Sequence, residues 1–159
     1  MDRLSEIEAI KRLKYKYLRC LDLKRWEELA ETLAEDAESS YSSGKYSFKG
    51  REAIIAFLRE GLPEHRLSMH QCHHPEIELT GEDTARGIWA LEDYLIDTKE
   101  GFSLRGAAFY YDEYVKVNGE WKIKSTGYER IFEEFWNRSD APSLVLTQNM
   151  FAPQGEGER

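Results

Sequence analysis

Leu4, Ile7, Ile10, Leu13, Tyr17 and Leu21 recur every three or four residues, and charges fill most positions between them. That period predicts an amphipathic helix over about Ser5–Leu21, and Ser5 with Glu8 has the spacing of a capping box. A second helix is expected over Lys24–Ala34, burying Trp26, Leu29 and Leu33. SYSSGKYSF reads as a short hairpin whose two aromatic-bearing arms flank a Ser-Ser-Gly turn. Ala53, Ile54, Phe57 and Leu58 form a third helical stripe over Arg51–Arg59, ended by Gly61 and Pro63.

Beyond Pro63 the period changes from helical to alternating. LSMHQCHHPEIEL is one extended run broken by Pro75, a residue that sits at a sheet edge or a bulge. ARGIWALEDYLI, LRGAAFYYDEYVKV and WKIKSTGYERIFEEF follow as strands, separated by the turns TGED, DTKEG and VNGEW. The Asn118-Gly119 pair in the last of these suits a type I′ hairpin. Helices first and a four-stranded antiparallel meander after them predict an α+β domain over residues 1–136, with helices on one sheet face. Residues 137–159 form a polar tail apart from SLVL, partly ordered, with its GEGER end expected to be disordered.

Composition narrows the function. The chain has 159 residues, 41% of them apolar and 13% aromatic, so it can bury a substantial core. A net charge of −8 with scattered lysines and arginines argues against nucleic acid or an anionic membrane as partner. Two cysteines, Cys20 and Cys72, are too few for a disulfide framework and suit a reducing cytoplasm. No apolar stretch approaches a spanning helix, and the N-terminus lacks the apolar core of a secretion signal.

All four histidines lie within His65–His74. HQCHH offers two metal ligands on a strand, but no second cluster completes a set of three or four; no metal and no cofactor are expected. On the following strand Trp89, Leu91, Asp93 and Leu95 share one face, and a carboxylate there is costly unless paired. Either Asp93 turns to water, or it faces a partly dry cavity and meets a histidine or an arginine. His70 is the candidate histidine. Histidine titrates near neutrality, and a carboxylate partner fixes its tautomer. With no nucleophile motif, such a pair implies proton transfer without a covalent intermediate: elimination, isomerisation or hydration.

Tyr17 lies on the apolar stripe of the first helix and Asp22 at its end. A buried phenol needs a partner, and one that faces a cavity would donate to a substrate oxygen. Arg130, between aromatic and aliphatic neighbours, either faces water or aims at a ligand carboxylate or at Asp22.

The blocks IEAIKRLKYKYLRCLD, SYSSGK, SMHQCHHPEIEL, WALEDYLI, GAAFYYDEY and TGYERIFEE, spread over about residues 6–136, carry a resemblance. The chain resembles the SnoaL-like, or nuclear transport factor 2-like, superfamily (a cone-shaped, cystatin-like α+β barrel), and within it the bile acid 7α-dehydratase family. That resemblance implies catalytic roles for Tyr17, Asp22, His70, Asp93 and Arg130, with Trp89, Tyr41 and Tyr128 contacting substrate. It implies a cofactor-free hydro-lyase acting on a steroid-like enone: Tyr17 donates to the ketone, His70 held by Asp93 moves the proton, and Arg130 and Asp22 brace the pocket. The chain departs from the family at Cys72, His73 and His74, in the turn DTKEGFSLRG and in the tail.

Two other readings stand beside it. The same cone houses ketosteroid isomerases, in which the base is a carboxylate, and non-catalytic small-molecule-binding or assembly modules. Apolar residues on both faces of the strands (Ile88, Tyr94 and Ile96 opposite Trp89, Leu91 and Leu95) predict a homo-oligomer. The resemblance implies a trimer, the wider fold a dimer.

Overall fold

The computed structural model describes residues 2–153. Helix α1 spans Arg3–Asp22 and starts two residues before the expected Ser5–Glu8 box. Its cap is Asp2, whose carboxylate accepts the Leu4 and Ser5 N–H groups at 3.0 and 3.2 Å. An acidic cap also complements the positive end of the helix.

The second helix is shorter than its pattern suggested: α2 covers only Trp26–Glu31. Leu33–Tyr41, whose first two residues were expected to be helical, is instead a strand, β1. Ala37, Ser39 and Tyr41 point inward in alternation, while Glu38 and Ser40 stay exposed. Small and polar residues make this period weak, because a serine facing the core carries no hydrophobic signal.

β1 continues through a turn into β2 (Tyr46–Lys49), giving the expected hairpin, and helix α3 (Arg51–Gly61) follows. Four long strands come next: β3 (Arg66–Leu79), β4 (Thr84–Asp97), β5 (Phe102–Val117) and β6 (Glu120–Asn137). The meander is as predicted, but it is part of a larger sheet. β1 pairs parallel to β6, and the order is β2-β1-β6-β5-β4-β3. The sheet is therefore six-stranded and mixed rather than four-stranded and antiparallel. Gly127 permits this pairing: a Cβ there would stand 2.3 Å from the Ser40 carbonyl oxygen.

Pro75 lies where the β3–β4 register slips between His73 and Glu76, on the edge strand, as its missing N–H requires. Asn118 and Gly119 take φ of 52° and 80°, the double positive that a type I′ turn needs. A short 3₁₀ turn, Arg138–Asp140, ends the regular structure. The GEGER ending lies outside the described residues.

α1 and α3 lie against the inner face of the curved sheet. Ile10, Tyr17 and Leu21 of α1 and Ile54 of α3 are buried with Trp89, Leu91 and Tyr110 of the strands. Each such side chain stabilises the fold by about 1.5–3 kcal/mol. Among the described residues no helix is long and apolar enough to cross a membrane.

Candidate active site

Between α1, α3 and the inner faces of β3–β6 the core is hollow. The cavity measures about 430 Å³ and is lined by Tyr17, Tyr41, Tyr110 and Tyr128 with His70, Asp93 and Arg130. Phe57, Leu58, Leu62 and Leu95 supply apolar wall. A cavity of this size suits a small-molecule ligand.

The imidazole is fixed at the sheet's open edge. β3 pairs only with β4, so the His70 N–H points off the sheet and needs a partner. Asp22, the last residue of α1, supplies it: one carboxylate oxygen accepts the His70 backbone N–H at 2.8 Å. The other oxygen accepts from the Ser68 hydroxyl at 2.8 Å and stands 2.6 Å from His70 Nδ1. The neutral imidazole therefore donates its Nδ1–H to the carboxylate, which leaves the Nε2 lone pair with no protein partner among the described residues. The two side chains are 16% and 10% exposed, dry enough for the bond to hold and open enough for a ligand to reach it.

This overturns the expected His70–Asp93 pair. The two residues are cross-strand neighbours and share the inner face, as predicted. Asp93 is nevertheless occupied by a bidentate fork from Arg130, at 2.5 Å to one oxygen and 2.8 Å to the other. A planar guanidinium matches a carboxylate better than an imidazole does. Arg130 is thus the arginine that the alternative reading of Asp93 allowed, and it does not aim at Asp22, one of the options open for it. Burial works against the guanidinium charge, but the bond to Asp93 more than offsets it and raises its pKa above the ordinary value. The Tyr128 ring stacks beneath, 4.9 Å from the guanidinium carbon, and Glu133 lies 3.1 Å from Nε.

Gly106 makes room for this fork. It stands between Asp93 and Glu133 in the sheet register, and a Cβ on it would lie 2.3 Å from an Arg130 terminal nitrogen. Gly106→Ala is therefore expected to dislodge Arg130 from Asp93, and to lower ligand affinity or turnover about 10-fold or more. The global unfolding midpoint should move little, because the severe overlap is with a side-chain end and the Phe132 carbonyl oxygen, 3.1 Å away, has to yield only slightly. Unchanged ligand binding in a folded Gly106→Ala protein would refute the cradle.

On the opposite wall the Tyr17 hydroxyl meets the Tyr41 hydroxyl at 3.1 Å, both rings fully or nearly buried. One proton lies between the two oxygens and the other remains for a ligand. Burial pushes the Tyr17 phenol well above its usual pKa and Tyr41 up to about 12, so both remain neutral donors.

Tyr17, His70, Asp93 and Arg130 thus come together around one cavity, with Asp22 behind the imidazole. Tyr41 and Tyr128, the expected substrate contacts, line the cavity. Trp89 does not: it is fully buried beneath, with its indole N–H donating to the Tyr114 hydroxyl at 2.9 Å. His65 stands 3.8 Å from Asp97, His73 pairs with Glu92 at 3.4 Å, and His73 stacks on His74 away from His70. No group of three or more His, Cys, Asp or Glu gathers closely enough to hold a metal among the described residues.

Sequence reasoning missed Tyr110 and the buried pair Lys14–Asp112, 2.7 Å apart. Their signals were present. Lys14 falls on the stripe of Ile10, Tyr17 and Leu21, and Asp112 alternates with Ala108, Tyr110 and Tyr114. A charge inside each of two apolar faces calls for the other.

Residues 2–127 match the SnoaL-like domain family. The chain belongs to that family. Among solved structures it is similar to a protein from Novosphingobium aromaticivorans provisionally named a scytalone dehydratase, at 27% identity and a TM-score of 0.76, over 98% of this chain and 97% of that one. A type 3 hexachlorocyclohexane dehydrochlorinase from Novosphingobium barchaimii shares the fold, at 23% identity and a TM-score of 0.76, over 84% and 92%. So does a Nostoc punctiforme protein with a cystatin-like fold, at 22% identity and a TM-score of 0.63, over 82% and 93%. The SnoaL-like chain is thus an α+β cone whose helices pack on a curved mixed sheet, with its hollow end holding the His70 cavity.

Proposed function

We propose that this SnoaL-like protein is a cofactor-independent hydro-lyase that removes water from a hydroxylated polycyclic enone. One observation carries the reading: His70 Nδ1 is locked to Asp22 while the imidazole lines a cavity walled by phenols. The resemblance of several sequence blocks to bile acid 7α-dehydratases, and a structural neighbour provisionally named a dehydratase, support the same class.

In this reading the Tyr17–Tyr41 pair donates to the ketone oxygen, stabilising the charge that develops there. His70 Nε2 takes an activated C–H proton, and the electron pair moves into the enone as a dienolate. The dienolate then expels the hydroxyl group, which leaves as water with the proton returned from His70. The charge-compensated Asp93–Arg130 arm orients the ligand's polar end. Trp89, now a core residue, contributes packing.

The isomerase alternative is weakened by the same geometry. It requires a free carboxylate base, and both Asp93 oxygens are held by Arg130. Incubation with a 7α-hydroxy-3-oxo-4-ene steroid is expected to produce the longer-wavelength absorbance of a conjugated dienone. Tight binding without any absorbance change would reject the reaction and favour a binding protein.

We infer also that a second copy covers the outer sheet face, in a dimer or a trimer. Tyr111 and Phe132 are 48% and 51% exposed there, beside the partly exposed Ile88 and Tyr94. Sedimentation velocity should find an oligomer at micromolar concentration; a clean monomer would contradict this.

A further inference from the structure

Behind the cavity lies a polar cluster that the proposed reaction does not use. Lys14 is fully buried, with its ammonium 2.7 Å from an Asp112 oxygen and 3.4 Å from the Thr126 hydroxyl. The Asp112 carboxylate also accepts from the Tyr114 hydroxyl at 2.8 Å and the Thr126 hydroxyl at 2.7 Å, so three donors share its charge. Trp89 closes the chain by donating to the Tyr114 oxygen. Burying such a pair is seldom favourable against an apolar substitute. What distinguishes this one is where its cation stands: 3.5 Å from the centre of the Tyr110 ring and 4.9 Å from that of Tyr17.

Tyr110 is 1% exposed, yet it lines the cavity. Its neighbours Tyr17, Tyr41, Tyr114 and Tyr128 all have hydrogen-bonded hydroxyls. The Tyr110 hydroxyl has none among the described residues. A buried phenol without a protein partner costs free energy unless water or a ligand supplies one. Burial also holds this phenol well above its usual pKa, so it keeps its proton. An ammonium against the ring face draws electron density from it, which strengthens the O–H as a donor.

We propose that the Tyr110 hydroxyl is a further ligand-binding donor, and that with the Tyr17–Tyr41 pair it forms a three-phenol site for an oxygen anion on a cyclic enol or phenol. The class of ligand rests on the reading given under the proposed function; the site rests on the unpartnered hydroxyl and the cation behind it. The Tyr110 O–H and the free O–H of the Tyr17–Tyr41 pair supply two donors to an enolate-type oxygen, and the lysine contributes positive potential where that charge forms.

The probes are 4-nitrophenol, whose ionised form absorbs separately from its neutral form, and 4-nitroanisole, which has the same ring and no ionisable oxygen. The protein is expected to bind 4-nitrophenolate at least about 10-fold more tightly than 4-nitroanisole. Tyr110→Phe, which keeps the ring, should weaken phenolate binding roughly 10-fold and leave nitroanisole binding unchanged. Tyr17→Phe, as a second variant, should show the same selective loss. Equal affinity of the natural protein for both probes would overturn the proposal, as would equal losses for both probes in Tyr110→Phe, or none. If the phenolate preference holds while no enone is dehydrated, the reaction is wrong and the anion site stands.

Discussion

Asp22→Asn is expected to lower turnover of a hydroxylated enone by about 10²–10⁴-fold, the range that general acid–base catalysis supplies. The substitution keeps the oxygen that accepts the His70 backbone N–H and changes little in volume. It places an amide where the Nδ1 proton now points, and an amide that donates to Nδ1 moves the imidazole proton to Nε2. The base then faces the ligand with no lone pair. His70→Ala should fall by a similar factor, and the double variant by little more, because the two residues act as one unit. Asp93→Asn differs in kind: it leaves the imidazole intact and removes one arm of the Arg130 fork, so its effect should fall mainly on binding. Dienone formation in each variant measures all four. Turnover by Asp22→Asn within a factor of two of the natural protein would remove Asp22 from the mechanism.

The largest stability effect is expected at the pair beneath the cavity. Lys14→Met leaves Asp112 as a buried carboxylate facing only Tyr114 and Thr126. Breaking such a pair from one side typically costs about 3–5 kcal/mol. Against a total stability of about 5–15 kcal/mol that is a large fraction. Removing both charges in Lys14→Met/Asp112→Leu should recover most of the loss, since neither ion is then left unpaired. Urea unfolding measures both variants. A single-variant loss below about 1 kcal/mol would show that water reaches Asp112 and that the pair is not sealed.

Some of this architecture could be read directly along the chain. The stripe through Ile10, Tyr17 and Leu21, the alternation of β3–β6, the break at Pro75 and the turn at Asn118-Gly119 are local patterns, and the backbone follows them. The part of β1 ahead of its expected hairpin arm escaped because its inward positions include Ala37 and Ser39, which carry little apolar signal; its parallel pairing with β6 depends on Gly127, far along the chain.

The residues facing the cavity were legible for a related reason: period two on a strand and 3.6 on a helix fix which side each occupies. That groups Tyr17 with the core stripe and Asp93 with Trp89, Leu91 and Leu95, while a solvent-facing Asp93 or Arg130 stays open until the fold closes over them. Partnership is another matter. His70 has two carboxylates within plausible reach, one across the strand and one at a helix end, and no periodicity ranks them. The fold ranks them through competition: Arg130 forks onto Asp93 across the space that Gly106 leaves, and the open edge of β3 offers Asp22 a backbone N–H together with the ring. Facing is a property of the local backbone, whereas pairing depends on every donor and acceptor that arrives at the same place, and only the packed structure brings them there.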